Sequence, residues 1–477
     1  MMKSNTLIFV FALFLICSCS DDNQSELIDK PAGFQLTNWD ISHEEAQFKA
    51  SLQKYGEGLN IYAMYGEKGN PSQKTKLFLD DNGDVNFTFS GLQTGKDYEV
   101  SFLVSNDAGT LAPKKIEFST RQVYVDPEYG NTGKGTSWRF PLSNMQQAVD
   151  LAHRLSKKHG VEFSIWCKKG LYNLADETIV LYDSTQIYGG FAGDEMDVDQ
   201  RDYNVNISLA TGRKKNATLF LGLDDIQNFV LIDGFNFTSS YVGDVSPSVD
   251  GEMEEMIGGA VRFEGVKGDL IVRNCNFFDN QNDLQSSGLV VVAEDEILFP
   301  ITNVYIENCQ FMENTGSRAA LSIYFADNVV FDKVRFYNNK GIDEGGAALL
   351  AGVQTFYVDE GVFVSNKTEY SNGSCLYLED VVKVDIEKTE FVNNITGVQK
   401  LKNESIGGLL FQENGTLSIT SSKFVRNDAY KHSPSLLKLQ NVSFSDRGGN
   451  CLGKGDEANS EPYSNHNRLF EKFKYCE

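Results

Sequence analysis

Hydrophobic and polar positions alternate through most of this chain, and the length and spacing of the alternating runs change along it. Between Phe34 and Ser119 they form seven short stretches: Phe34 to Ile41, Ala46 to Leu52, Leu59 to Tyr65, Lys76 to Leu79, Val85 to Phe89, Tyr98 to Val104 and Ile116 to Ser119. The hairpin-turn sequence Asp81-Asn82-Gly83-Asp84 separates two of them. Period-two runs bounded by turn signals predict an antiparallel β-sandwich over residues 33–122. At Val123 the texture changes. A Gly-rich loop, Gly130 to Gly135, leads to Leu142 to Leu155, which places Met145, Ala148, Val149, Ala152 and Leu155 on one helical face, with Ser143 or Asn144 available as N-cap. Strand character resumes at Ile165-Trp166-Cys167 and Ile187-Tyr188-Gly189-Gly190-Phe191.

Beyond residue 231 two short phrases recur. The first is Phe-x-x-Asn, at Phe277 to Asn280, Phe311 to Asn314, Phe336 to Asn339, Phe363 to Asn366, Phe391 to Asn394 and Phe424 to Asn427. The second is glycine-rich and apolar: Gly258 to Val261, Ser287 to Val290, Gly345 to Ala348, Gly373 to Leu376 and Gly407 to Leu410. Strands of four to six residues, each ending in a fixed turn residue, stack as the coils of a solenoid, with neighbouring coils about 4.8 Å apart. Like side chains then meet: the phenylalanines fill the core, and each asparagine takes a left-handed turn and bonds to the asparagines above and below. By this logic an Asn339 substitution is milder than loss of Phe336. Cys275 and Cys309, two residues before their phenylalanines, are stacked core residues, as thiols or as a disulfide.

Several of these segments resemble known families. Gly91-Leu92-x-x-Gly95-x-x-Tyr98-x-Val100 resembles the tyrosine corner of fibronectin type III domains, and Asn106-x-Ala108-Gly109 the loop after it. Such a corner buries a ring whose hydroxyl needs a backbone acceptor. The alternation of the two repeat phrases resembles the repeats of polymorphic outer membrane proteins, which are right-handed parallel β-helices. That resemblance covers residues 123–450 and implies that the helix near Leu142 to Leu155 caps the first coil. The fold expected is therefore all-β, an N-terminal β-sandwich followed by a right-handed parallel β-helix with an N-terminal capping helix. Residues 451–477 form a C-terminal cap or tail, in which Cys451 and Cys476 are placed for a bridge over the open end.

The N-terminus supplies an address. Lys3 precedes an apolar run from Leu7 to Ile16, half of the roughly 20 residues that a bilayer requires, so residues 1–18 read as a cleaved signal peptide. Ser18-Cys19 resembles the cleavage box of bacterial lipoproteins, with Ile16 and Cys17 departing from its commonest residues, and implies that Cys19 becomes the acylated N-terminus. Ser20-Asp21-Asp22, at the start of an acidic tether over 19–32, resembles the surface-export signal of Bacteroidetes lipoproteins. The implied location is the outer membrane, facing the exterior.

Composition narrows the partners. The 477 residues carry 43 Lys plus Arg against 66 Asp plus Glu, a formal charge of −23, and a nucleic-acid surface needs the opposite sign. Eight Cys without C-x-x-C spacing and five His supply no zinc or thioredoxin-type motif. Arg262, Arg273, Lys333 and Arg335 do not recur beside acidic groups as a lyase base would. Asp224-Asp225 lacks the companions of a pectin hydrolase site and reads as a turn. No cofactor is expected; calcium at the acidic loops Asp194 to Asp202 or Glu252 to Glu255 is the lesser alternative. The leading expectation is a surface-exposed, noncatalytic, adhesin-like lipoprotein whose β-helix binds extracellular polysaccharide or a surface protein. The alternatives are a polysaccharide lyase or glycoside hydrolase of the same fold, and a structural spacer. If Val261, Val290, Leu321, Ala348, Leu376 and Leu410 face the core, period two sends Arg262, Val291, Ser322, Leu349, Tyr377 and Phe411 outward as a contact ribbon, unless loops or the tail cover it.

Overall fold

The computed structural model describes residues 29–53, 55–130, 133–223, 226–242, 258–293, 301–342, 344–370, 372–397, 409–429, 437–453 and 474–476. The expected signal peptide, Cys19, Asp21, Asp22, Asp224, Asp225 and Glu252 to Glu255 lie outside them.

The first region is built from two antiparallel sheets. One holds Gln35–Ile41, Glu45–Ser51 and Asp84–Ser90; the other holds Asn60–Glu67, Asn70–Leu77, Asp97–Asn106, Gly109–Thr110 and Lys114–Ser119. Alternation decides which side chains go between them: Ala46, Phe48 and Ala50 with Val85, Phe87 and Phe89 from one sheet meet Ile61, Ala63, Val100 and Phe102 from the other in a single core. The stretch expected at Lys76 to Leu79 is in fact the end of a longer strand, Asn70–Leu77. It pairs on one side only and is almost wholly exposed, so no alternation marks it. Tyr98 is buried at the corner, but its hydroxyl accepts the Gln93 backbone N–H at 2.7 Å instead of seeking an acceptor.

The remainder is a right-handed parallel β-helix. Its described strands form a 16-stranded sheet starting at Gln122–Val125, an 11-stranded sheet and a 7-stranded sheet, all parallel. Long strands such as Leu321–Asp332 and Ala348–Asp359 run across a bend and join two faces into the largest sheet. The repeat phenylalanines form one column. From Phe277 through Phe311, Phe336, Phe363 and Phe391 to Phe424, successive ring centroids are 4.7, 4.9, 5.0, 5.1 and 4.8 Å apart and the rings nearly parallel. All six are fully buried.

The repeat asparagines form a second buried column, Nδ2 of each donating to Oδ1 of the next at 3.0 Å from Asn280 to Asn427. The expected left-handed turn falls one residue earlier, at Asp279, Glu313, Asn338, Ser365, Asn393 and Arg426, with φ between 51° and 57°. A second corner of the same kind sits at Asn274, Asn308, Lys333, Glu360, Lys388 and Ser421. Single left-handed residues turn the chain, and the asparagines tie the turned coils together.

The ends are closed differently. The helix Met145–His159, capped by the Asn144 side chain on Gln147 N–H and ended by left-handed Gly160, lays Met145, Ala148, Val149 and Ala152 on the first coil. At the other end the 11-stranded sheet runs past the expected boundary at 450. Cys451–Leu452 pairs with Lys423–Val425, Lys474–Tyr475 pairs with Cys451–Leu452, and a Cys451–Cys476 disulfide fastens the two outer strands. Cys275 and Cys309 are free, buried thiols that donate to the carbonyls of Arg273 and Glu307, and burial pushes the Cys309 thiol well above its usual range.

Candidate binding surfaces

Register fixes the expected ribbon. Leu221, Arg262, Val290, Ser322, Leu349, Tyr377, Phe411 and Lys438 pair coil to coil in one outward column. Val291 is not in it. It pairs with Phe263 and Ile323 and belongs to the core, while Val290 takes the outward position. The glycine-rich phrase of that coil begins at Ser286, one residue earlier than the sequence reading placed it, and a one-residue slip exchanges the two faces.

Outward does not mean exposed here. Arg262, Val290, Ser322, Leu349 and Phe411 are all buried, whereas Tyr377 is half-buried. Described turns that lead into these strands fold against the column. Ser286 Oγ hydrogen-bonds to Ser322 Oγ, and a Cβ on Gly373 would lie 2.9 Å from that of Tyr377. Gly373 is also left-handed, with φ of 72°, so this close turn is built for glycine. Arg262 spends its Nε on Glu264 Oε2 at 3.1 Å. Arg273, another cation weighed as a catalytic base, is held on buried Asp233 together with Arg201, both at 2.6 Å. The acidic loop at Asp194 is likewise committed: Glu195 accepts the N–H groups of Ala192, Gly193 and Asp194, and Asp197 caps the short 3₁₀ turn Val198–Gln200. Among the described residues no three His, Cys, Asp or Glu side chains converge as a metal site requires.

The accessible chemistry lies one step along the same strands. Two residues on, the outward column reads Glu264, Val292, Tyr324, Ala351, Glu379 and Glu413. Around its later members the Tyr377 and Phe411 rings meet at 4.7 Å, tilted by 35°, and Lys438 Nζ lies 5.5 Å from the Phe411 ring centroid. Arg318 sits over the Tyr324 ring at 5.6 Å, hydrogen-bonds its hydroxyl and approaches Glu344 at 3.8 Å. Burial, then the charges of Glu344, Asp380 and Glu413, hold the Glu379 carboxyl above the usual carboxylate range. Burial, then the charges of Glu344, Glu379 and Glu413, push the Tyr377 phenol up. A half-exposed aromatic flanked by carboxylates and a guanidinium offers a ring face together with acceptors and donors for hydroxyl groups. Tyr324, Glu379 and Glu413 escaped the sequence reading because it followed one outward column and stopped. Extending period two by a further step would have reached them.

Residues 259–444 match the family described as right handed beta helix region. No curated protein matches the chain. Among solved structures, the family 28 exopolygalacturonase of Yersinia enterocolitica is 10% identical, covering 88% of this chain and 99% of its own, with a TM-score of 0.25. The catalytic unit of a GH87 alpha-1,3-glucanase from Streptomyces thermodiastaticus is 11% identical over 89% of this chain and 95% of its own, with a TM-score of 0.24. A redesigned β-sandwich protein is 22% identical over 18% of this chain and 89% of its own, with a TM-score of 0.15. Superposition at these scores carries no information on activity. The class is thus defined by fold: a right-handed parallel β-helix preceded by an antiparallel sheet region. Among the described residues no helix is long and apolar enough to cross a membrane.

Proposed function

We propose that this chain is a noncatalytic outer-membrane lipoprotein that binds extracellular glycan on the outward face of its β-helix, with a fibronectin type III-like module between anchor and solenoid. The observation that carries the reading is the half-buried Tyr377 ring, tilted against Phe411 beside Glu379, Glu413 and Arg318. A sugar presents an apolar ring face and a rim of hydroxyls, and this patch meets both. Electrophoresis through gels containing neutral or acidic polysaccharides tests it. The parent is expected to be retarded by at least one polymer, and Tyr377→Ala to weaken that retardation at least tenfold, whereas Tyr305→Ala, on a different column, leaves it intact. A parent that is retarded by no polymer would refute the reading.

The address is tested separately. Lipidation of Cys19 and surface export through Asp21 and Asp22 rest on the sequence. Cys19→Ala is expected to move the protein from the membrane fraction to the soluble fraction, because the lipid is its proposed anchor. Replacing Asp21 and Asp22 is expected to keep it anchored but shield it from added protease.

One observation favours a hydrolase as the second reading. Glu379 and Glu413 stand opposite each other on adjacent coils, and a carboxyl raised beside a second carboxylate is the pairing of an acid and its partner in glycoside cleavage. Release of reducing ends that Glu379→Gln abolishes would decide for it.

A further inference from the structure

The chain has three tryptophans, and all three sit where the sandwich meets the first coils. Trp39 comes from the edge strand Gln35–Ile41; Trp138 and Trp166 come from the opening of the solenoid, where Trp138 packs against Tyr124 at 4.8 Å. Trp39 Nε1 donates to the Asp194 carbonyl at 2.6 Å and Trp138 Nε1 to the next carbonyl, Glu195, at 3.1 Å. The loop that receives both is itself locked by the Glu195 carboxylate on three of its N–H groups, at 2.6, 2.9 and 3.1 Å. Two indoles from two regions are therefore pinned side by side on one rigid loop, and their N–H groups are already used. What remains to offer a ligand is aromatic surface.

Between these rings lies a cleft of about 440 Å³, within the roughly 300–1,000 Å³ of small-molecule sites. Asp40 and the exposed Arg139 line it together without pairing, so a carboxyl acceptor, which the Ser137 hydroxyl also approaches, and a guanidinium donor share one opening. Burial raises the Asp40 carboxyl above its usual range and Arg139 opposes the shift. Asp194 and Glu195 add negative charge to the wall, which disfavours an acidic ligand.

We infer that this cleft is a second saccharide site, taking one or two neutral sugar units whose ring faces lie on Trp39 and Trp138 and whose hydroxyls bridge Asp40 and Arg139. Aromatic walls fixed before binding lose little freedom when the ligand enters, and neighbouring hydroxyls can donate to a carboxylate while accepting from a guanidinium. The inference uses none of the residues of the Tyr377 patch and can fail independently of it.

Because every tryptophan is at this junction, tryptophan emission, excited at the red edge where the tyrosines do not absorb, reports on this end of the molecule. The full mature protein is titrated with maltotriose, cellotriose, laminaritriose and mannotriose, with trigalacturonic acid as the charged comparison. A saturable change with at least one neutral trisaccharide is expected, weakened at least tenfold in Asp40→Ala and in Arg139→Ala and no more than about threefold in Asp40→Asn, which keeps an acceptor. Unchanged circular dichroism of each variant separates lost contact from lost fold. A response from none of the neutral sugars, a response from the acidic one alone, or undiminished affinity in Asp40→Ala would overturn the inference. Binding of a neutral trisaccharide by calorimetry that Tyr377→Ala abolishes, with no change in tryptophan emission, would assign the sugar to the solenoid face, sparing the proposed function and removing this site.

Discussion

Phe336→Ala is expected to destabilise the protein by about 3–5 kcal/mol, read as a lower urea midpoint with an unchanged slope. The ring is fully buried, with Phe311 at 4.9 Å below it and Phe363 at 5.0 Å above it, interplanar angles of 13° and 10°, and Phe331 at 6.1 Å to one side. Removing it takes away the transfer free energy of a large side chain and leaves a void. The neighbours above and below cannot close that void, because backbone ladders on each coil fix their spacing: Gln310 to Met312 pairs with Arg335 to Tyr337, and these pair with Val362 to Val364. Phe336→Leu, which refills part of the space, should recover roughly half of the loss. A midpoint indistinguishable from that of the parent would contradict an inward ring column.

Asn339→Ala is expected to cost a comparable amount, also about 3–5 kcal/mol, where the sequence alone predicted a milder effect. The side chain is fully buried and makes four hydrogen bonds. Nδ2 donates to Phe311 O at 2.8 Å and to Asn366 Oδ1 at 3.0 Å, while Oδ1 accepts Asn314 N at 3.1 Å and Asn314 Nδ2 at 3.0 Å. Truncation leaves several of these partners unpaired and out of reach of bulk water, at about 1–3 kcal/mol for each orphaned group. Asn339→Asp provides a signed control. Burial disfavours the charged form, so the folded-state pKa rises above the unfolded value of roughly 3.9. The variant then keeps most of its stability at acid pH and loses it as pH rises through the folded pKa. Urea midpoints at pH 4 and pH 8 read this directly, and a pH-independent difference from the parent would contradict a buried ladder.

The repeat was legible because the residues that stack are the same residue. Phe277, Phe311 and Phe336 announce a column without any knowledge of backbone, and Asn280, Asn314 and Asn339 do the same. The corners were not legible. A single left-handed residue held between two strands tolerates Asp279, Glu313, Ser365 or Arg426 alike, so no letter repeats. The contact ribbon was half legible: period two identified its column, but Val290 and Val291 are the same residue type, and only register separates the outward one from the inward one. Burial of Arg262, Ser322 and Leu349 depends on turns folding against the strands, which alternation along a strand does not encode. The junction cleft joins Trp39 to Asp194 across 155 residues, and no local pattern links them. Trp138 and Trp166 follow the change of texture at Val123, but nothing in the sequence ties Trp39 to them.

The disulfide at the far end governs how the molecule would respond to force. Each coil holds only its neighbours, so tension on the last strand breaks its hydrogen bonds in succession, as a zipper opens, and not all at once in shear. The Cys451–Cys476 bond changes where that opening starts. Tension applied beyond Cys476 passes through sulfur straight to Cys451, 25 positions earlier, and the chain between them is relieved of it. The strand Lys474–Tyr475 is thereby protected, and the first ladder to be peeled is the one joining Cys451–Leu452 to Lys423–Val425.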